Sequence, residues 1–352
     1  MKKTILLKVD PNKPDLSKIK VAANIIKKGG VVAFPTETVY GLGADALNSK
    51  AILSLFKAKN RPVDNPPIIH VENLDQIKNL AKEIPIKAKL LIEKFWPGPL
   101  TIVFQRSEKI PIESTAGLDT IAIRMPQHKV ALALIKKSKC PIAAPSANIS
   151  GKPSPTLAKH VFDDLNGKID VILDGGPTCI GVESTVVNIT VDPPEVLRPG
   201  GISIEDLKKT IGDIKIHPFV LTDKQLAIEK IRSPGMKHKH YAPKAKVILV
   251  EGAVLLIIKK VTEIAKQYML KELKVGILAT QETVQYYNAD IVKSLGSRFN
   301  LKGIAHNLFS LLREFDDENV DIIVAEGVPS EGVGLAIMNR LRKAAAYNIV
   351  KT

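Results

Sequence analysis

Short apolar runs, several of them β-branched and bounded by Gly or Pro, alternate with helix-like segments through the first two hundred residues. Gly30 to Phe34, Leu100 to Phe104, Thr120 to Ile123, Val171 to Leu173 and Val186 to Ile189 are the clearest. Such alternation reads as an α/β domain built on a large mixed sheet. The signal restarts near Lys246, where Val247 to Val250, Val275 to Leu278 and Asp321 to Ala325 read as strands separated by helical patterns. This second set predicts a smaller doubly wound α/β domain that ends in a helix from about Leu335 to Tyr347. A chain of 352 residues, 45% of them hydrophobic, is long enough for two such cores.

The boundaries follow from composition. Residues 1–212 are expected to form the first domain, 213–245 a linker, and 246–352 the second domain. Within the linker, Ser233 to Pro243 has prolines near both ends and no helix or strand period. It also carries Met236, His238, His240 and Tyr241, unusual in a passive spacer, so it is expected to dock as a lid.

The apolar run Ile5-Leu6-Leu7 is stopped by Lys8, too short for a secretory signal, and no stretch approaches the ~20 apolar residues of a membrane-spanning helix. Cys140 and Cys179 are the two cysteines, lack metal-ligand spacing, and are expected to be small buried hydrophobes in a reducing, cytoplasmic setting. The formal charge of +15 predicts attraction to polyanions, whether nucleotide, pyrophosphate or RNA, although the lysines are scattered as on a solvated cationic surface.

Several segments concentrate chemistry at strand ends. Phe34-Pro35-Thr36-Glu37-Thr38-Val39-Tyr40-Gly41-Leu42-Gly43 packs hydroxyls, a carboxylate and a phenol into one turn, which suits either a polar ligand or a capped corner. Lys57-Ala58-Lys59-Asn60-Arg61-Pro62 sets three cations at a helix end, where they complement the helix dipole or clamp phosphate. His70 closes the strand-like run Pro67 to Val71, and Arg124 stands at the end of Ile121-Ala122-Ile123, where a buried guanidinium needs an anion. Pro145-Ser146-Ala147-Asn148 opens a Ser/Asn-rich loop, and Glu183-Ser184-Thr185 and Leu197-Arg198-Pro199-Gly200 repeat the pairing of strand and polar group. There is no G-x-x-x-x-G-K-[ST] loop, and no closely spaced Cys/His set argues for zinc.

In order and content these segments, with Phe95-Trp96-Pro97-Gly98-Pro99-Leu100-Thr101, the linker and Gly332 to Leu341, resemble the threonylcarbamoyl-AMP synthases of the YrdC fold. The likeness is to the long form with a linker and a C-terminal Sua-type domain, and it spans nearly the whole chain. Two positions depart from the usual pattern, Pro67 where leucine is expected and His238 where tyrosine is common. The resemblance implies a twisted mixed-sheet α/β domain followed by a Rossmann-like α/β domain. It implies a nucleotidyltransferase that condenses L-threonine, bicarbonate or CO2, and ATP into threonylcarbamoyl-AMP and pyrophosphate.

By the same resemblance, threonine contacts Thr36, His70, Arg124, Ala144 and Ser184, with Arg124 on its carboxylate. ATP contacts Lys59, Val63, Thr120, Ser146, Ser154, Arg198, Pro234 and Tyr241, and chemistry adds Arg61 and Asn148 to the site. Lys59, Arg61 and a Mg2+ ion brought with ATP are the expected stabilisers of phosphate charge, with no metal assigned to protein side chains. The implied partners are the tRNA threonylcarbamoyl-transferase machinery downstream, with weak tRNA or RNA binding expected from charge alone. The rival reading is an RNA-binding module, for double-stranded RNA or tRNA, without nucleotidyl chemistry.

Overall fold

A computed structural model of the chain describes residues 3–222 and 241–352. The described residues fall into two compact units, one made of 3–150 and 154–220, the other of 151–153, 221–222 and 241–352. Pro234, His238 and His240, and with them most of the expected lid, lie outside the described residues.

The first unit is built on β1 (Ile5–Lys8), β2 (Val32–Phe34), β3 (Gly41–Asp45), β4 (Ile69–His70), β5 (Leu100–Gln105), β6 (Thr120–Arg124), β7 (Ile142–Ala143), β8 (Val171–Asp174), β9 (Thr185–Asn188), β10 (Glu195–Arg198) and β11 (Lys215–Ile216). They form one sheet in the order β1-β8-β2-β3-β7-β4-β6-β5-β9-β10-β11. The pairing is mixed: β4 runs parallel to β6 and antiparallel to β7, and β5 runs antiparallel to β6 and parallel to β9. The large mixed sheet expected from the apolar runs is therefore present.

Helix α1 (Leu16–Lys27) begins where Asp15 accepts the backbone N–H of Ser17. It buries Ile19, Ala22, Ala23 and Ile26, one face at helical spacing, against Val32, Phe34, Val171 and Leu173 of the sheet. Each isoleucine fully buried there contributes about 2–3 kcal/mol. Helix α2 (Ser49–Lys59) is capped by Asn48 and stops at Asn60, whose left-handed backbone (φ 51°) asparagine tolerates. That turn sets Lys59 and Arg61 on either side of one residue.

The run Pro67 to Val71 enters the ladder only at Ile69–His70, because Pro66 and Pro67 have no N–H to give. The chain around it is still anchored: Ala144 donates to the Ile68 carbonyl (2.8 Å) and Val71 to the Arg124 carbonyl (3.0 Å).

The second unit has five parallel strands, β12 (Lys246–Glu251), β13 (Val275–Ala279), β14 (Ile291–Ser294), β15 (Ile322–Glu326) and β16 (Ile349–Lys351), ordered β14-β13-β15-β12-β16. Its central strands are buried along nearly their whole length, as strands covered by helices on both faces must be. The last helix runs Gly334–Ala344 and stops short of the expected Tyr347. Ala346 and Tyr347 take positive φ there, and Tyr347 donates back to the Arg342 carbonyl, which closes the helix and turns the chain into β16. Among the described residues no helix is long and apolar enough to cross a membrane.

Candidate active site

Three loops of the first unit interlock at the ends of β2, β4, β6 and β7. The turn after β2 is tied to the loop after β7, since Leu42 donates to the Pro145 carbonyl (2.8 Å) and Ala147 to the Tyr40 carbonyl (2.8 Å). The loop after β8 closes the other side, with Ile180 donating to the Glu37 carbonyl (2.8 Å) and Gly181 to that of Thr38 (3.1 Å). Polar side chains distant in sequence are thereby held at one place.

Arg124, at the end of β6, is 3% exposed. Its Nε donates to the Gly98 carbonyl (3.1 Å), one Nη to Thr38 Oγ1 (2.9 Å), and the other stands 2.7 Å from a carboxylate oxygen of Glu37. His70 is its register partner on β4. Burial, and then the Arg124 charge beside it, pull the His70 pKa down to about 3, so at neutral pH the ring is an uncharged hydrogen-bonding group. Thr36 turns its hydroxyl inward onto the Val39 carbonyl (2.6 Å) and against Thr38 Oγ1 (2.9 Å), stiffening the turn that carries Glu37.

A second cluster surrounds Ser184. Its hydroxyl meets Thr101 Oγ1 at 2.8 Å, and Arg198 donates to both its carbonyl and its hydroxyl. A Cβ at Gly200 would stand 2.3 Å from backbone atoms of Glu183, Ser184 and Thr185, so only glycine lets the chain after Arg198 cross there. Ser154 donates to Glu183 Oε1 (2.6 Å), next in the chain to Ser184.

Lys59 is 1% exposed, and its ammonium donates to the carbonyls of Ser146 and Asn148. Ser150 returns a bond to the Lys59 carbonyl (2.9 Å), and the Ser146 hydroxyl donates to Asn148 Oδ1 (2.6 Å). Arg61 donates to the carbonyls of Asn65 (3.0 Å) and Pro66 (3.1 Å). Both cations thus brace loops.

Thr36, His70, Arg124 and Ala144 are therefore linked through neighbouring strands and interlocked loops, Ser184 sits in the cluster with Thr101 and Arg198, and Lys59, Ser146 and Asn148 come together through direct hydrogen bonds. Val63 is 65% exposed in the turn after Arg61, and Thr120 opens the strand that Arg124 closes, about 13 Å away along extended chain. Tyr241 belongs to the second unit, where it is buried, stacks at a tilt on Phe309 and lies under the Arg340 guanidinium.

The expectation that both cysteines are buried is corrected for Cys179, which is exposed. Its neighbours Thr178 and Ile180 spend their N–H groups on Thr156 and Glu37, leaving the Cys179 side chain to line an open groove of about 1070 Å³ with Lys8, His128 and Asp174. Cys140 is buried, and burial with the nearby Asp45 carboxylate pushes its thiol up to about 12. Sequence reading gave no role to Glu37, Thr38, Thr101 or Glu183. The one signal available was a carboxylate placed between two threonines in a turn that follows an apolar strand.

A histidine held neutral in the fold is expected to leave a pH signature in stability. The unfolded chain protonates His70 near 6.5 and the folded chain only near 3, so its contribution is complete above 6.5 and is lost as pH falls toward 3. The slope reaches up to ~1.4 kcal/mol per pH unit in that window. His128, lowered mainly by burial, acts in the same direction. Thermal unfolding followed across this range should show a shallower slope for His70→Gln, and an unchanged slope would remove the assignment.

Residues 24–200 match the Sua5/YciO/YrdC family model, described as telomere recombination, and residues 202–346 match the model described as threonylcarbamoyl-AMP synthase, C-terminal domain. A threonylcarbamoyl-AMP synthase of Pyrococcus abyssi is 52% identical over 334 residues, covering 95% of this chain and 96% of that protein. One of Bacillus subtilis is 48% identical, covering 95% and 94%. The crystal structure of P. abyssi Sua5 complexed with L-threonine superposes with a TM-score of 0.94, at 50% identity, over 99% of this chain and 100% of that one. With both units matched along their length, this chain belongs to the threonylcarbamoyl-AMP synthase family, in its long form with a C-terminal Sua5 domain.

Proposed function

We propose that this chain condenses L-threonine, bicarbonate or CO2, and ATP into threonylcarbamoyl-AMP with release of pyrophosphate, the product serving threonylcarbamoyl transfer to an adenosine of tRNA. The observation that carries the reading is Arg124, a buried guanidinium at a strand end with neutral His70 beside it on β4. A guanidinium so placed is built to take a carboxylate. In this reading threonine lies against Thr36, His70, Arg124, Ala144 and Ser184. ATP lies along Lys59, Ser146, Asn148, Ser154 and Arg198, with Arg61, Val63, Thr120, Pro234 and Tyr241 as further contacts.

The carbamate oxygen of carbamylated threonine attacks the α-phosphate of ATP, and pyrophosphate leaves. His70, uncharged, orients substrate and moves no proton at neutral pH. The work of the site is positioning and electrostatic: the buried cations strengthen in low dielectric and are held by backbone carbonyls before substrate arrives. No group of three or more His, Cys, Asp or Glu side chains placed to hold a metal occurs among the described residues. In this reading Mg2+ would enter as the companion of the ATP phosphates, whose charge it would neutralise.

An RNA-binding module would need its cations at the surface. Lys59, Arg61, Arg124 and Arg198 are all buried, at 9% exposure or less, and so are not placed to meet a phosphate backbone. The test is one incubation with ATP, bicarbonate and labelled threonine. Pyrophosphate and a threonine-containing adenylate should appear together, and both should vanish when threonine or bicarbonate is left out. Pyrophosphate release that ignores threonine would refute the reading.

A further inference from the structure

Glu37 is the buried charge whose chemistry the site has not yet used. Its side chain is 5% exposed, and one carboxylate oxygen stands 2.7 Å from an Nη of Arg124. Yet neither carboxylate oxygen, nor that Nη, makes an aligned hydrogen bond among the described residues. Burying a carboxylate costs several kcal/mol unless its lone pairs are met.

Two other carboxylates of the chain show how such groups are met. Glu251 takes a two-pronged bond from Arg342 at 2.8 and 2.9 Å. Glu326, fully buried at the end of β15, accepts from the Thr280 N–H and from the hydroxyls of Thr280, Thr283 and Tyr287. The Glu37 oxygens, one of them against the Arg124 guanidinium, receive no aligned donor on a turn whose backbone is clamped by Ile180 and Gly181. Arg124 from β6 and His128 from the start of the helix Lys129–Ser138 are charged or titratable groups that face it from neighbouring elements.

We propose that Glu37 is the seat of the substrate ammonium, so that Glu37 and Arg124 together recognise the zwitterion of an α-amino acid. This rests on the reading that Arg124 takes the threonine carboxylate. An ammonium carries three N–H donors and needs acceptors, and the open carboxylate oxygens supply them beside the guanidinium. Substrate binding completes the hydrogen bonding that the free pair lacks, and a ligand without an amine leaves those acceptors unmet. Glu37 is thus a specificity residue.

The test measures binding of three ligands by calorimetry: L-threonine, 3-hydroxybutanoate, which lacks the amine, and L-threoninol, which lacks the carboxylate. The wild-type protein should prefer threonine over 3-hydroxybutanoate by about 30-fold or more, the worth of a charge-assisted hydrogen bond. In Glu37→Gln that preference should fall to about 3-fold or less, mostly by weaker threonine binding. Raising pH through the amine pKa should weaken threonine binding to the wild type and leave Glu37→Gln nearly flat.

Glu37→Asp, which keeps the charge but withdraws it, should lie between. Melting temperatures of all variants are measured beside the affinities. If Glu37→Gln does not fold, the aspartate series decides, and full wild-type preference in Glu37→Asp with no pH response overturns the proposal. Retention of the preference in Glu37→Gln overturns it directly. Failure of the Arg124 reading shows differently: threoninol would then bind the wild type as well as threonine, while 3-hydroxybutanoate stayed weak.

Discussion

Replacing Arg124 by methionine is expected to lower threonine-dependent pyrophosphate release by at least about 100-fold. The same change should destabilise the first unit by about 3–5 kcal/mol, because it strands the Glu37 carboxylate without its counter-charge. The two losses have different causes and can be separated. In the double variant Glu37→Gln/Arg124→Met no buried charge is left alone, so denaturant unfolding should recover much of the lost stability while activity stays down. If activity returned with stability, Arg124 would be a structural ion-pair partner and no more. Lys at 124 is not a conservative choice, since it cannot reach the Gly98 carbonyl, Thr38 and Glu37 in the planar fork that guanidinium provides.

The second large effect is expected at Lys59. Its ammonium holds the carbonyls of Ser146 and Asn148, so Lys59→Met leaves two acceptors without that donor and loosens the loop carrying Ser146 and Asn148. Unsatisfied buried acceptors cost about 1–3 kcal/mol each, so a loss of stability on the order of 2 kcal/mol or more should be seen. On the proposed ATP site, removing this cation should lower kcat/KM for ATP about 100-fold or more. Threonine binding without ATP, measured by calorimetry, should change far less. An equal loss for both substrates would mean that Lys59 supports the whole pocket and has no particular bearing on phosphate.

Much of the architecture is legible without coordinates because its signals are local. Val171 to Leu173 and Val275 to Leu278 are apolar runs that only a buried strand can use, and both are strands of their sheets. The cationic helix end before Pro62 is also local: α2 stops at Asn60, the residue type that accepts a left-handed turn. Where single-residue geometry depends on partners far along the chain, the reading from sequence falls short. Cys179 sits between two small or apolar neighbours that suggest burial, but hydrogen bonds to Thr156 and Glu37 turn its side chain outward.

The amino-acid sequence by itself determined the two α/β units, the strand ends at which the polar segments lie, and the order of those segments that marks the family. Those depend on period, turn chemistry and composition, which act over a few residues. Only the tertiary structure decided that Glu37 meets Arg124, that Thr38 and Gly98 steady that guanidinium, and that the Lys59 ammonium points into the loop of Ser146 and Asn148. These contacts join residues 26 to 89 positions apart, and they form because burial in low dielectric leaves a charge no stable choice but a partner that the fold brings to it.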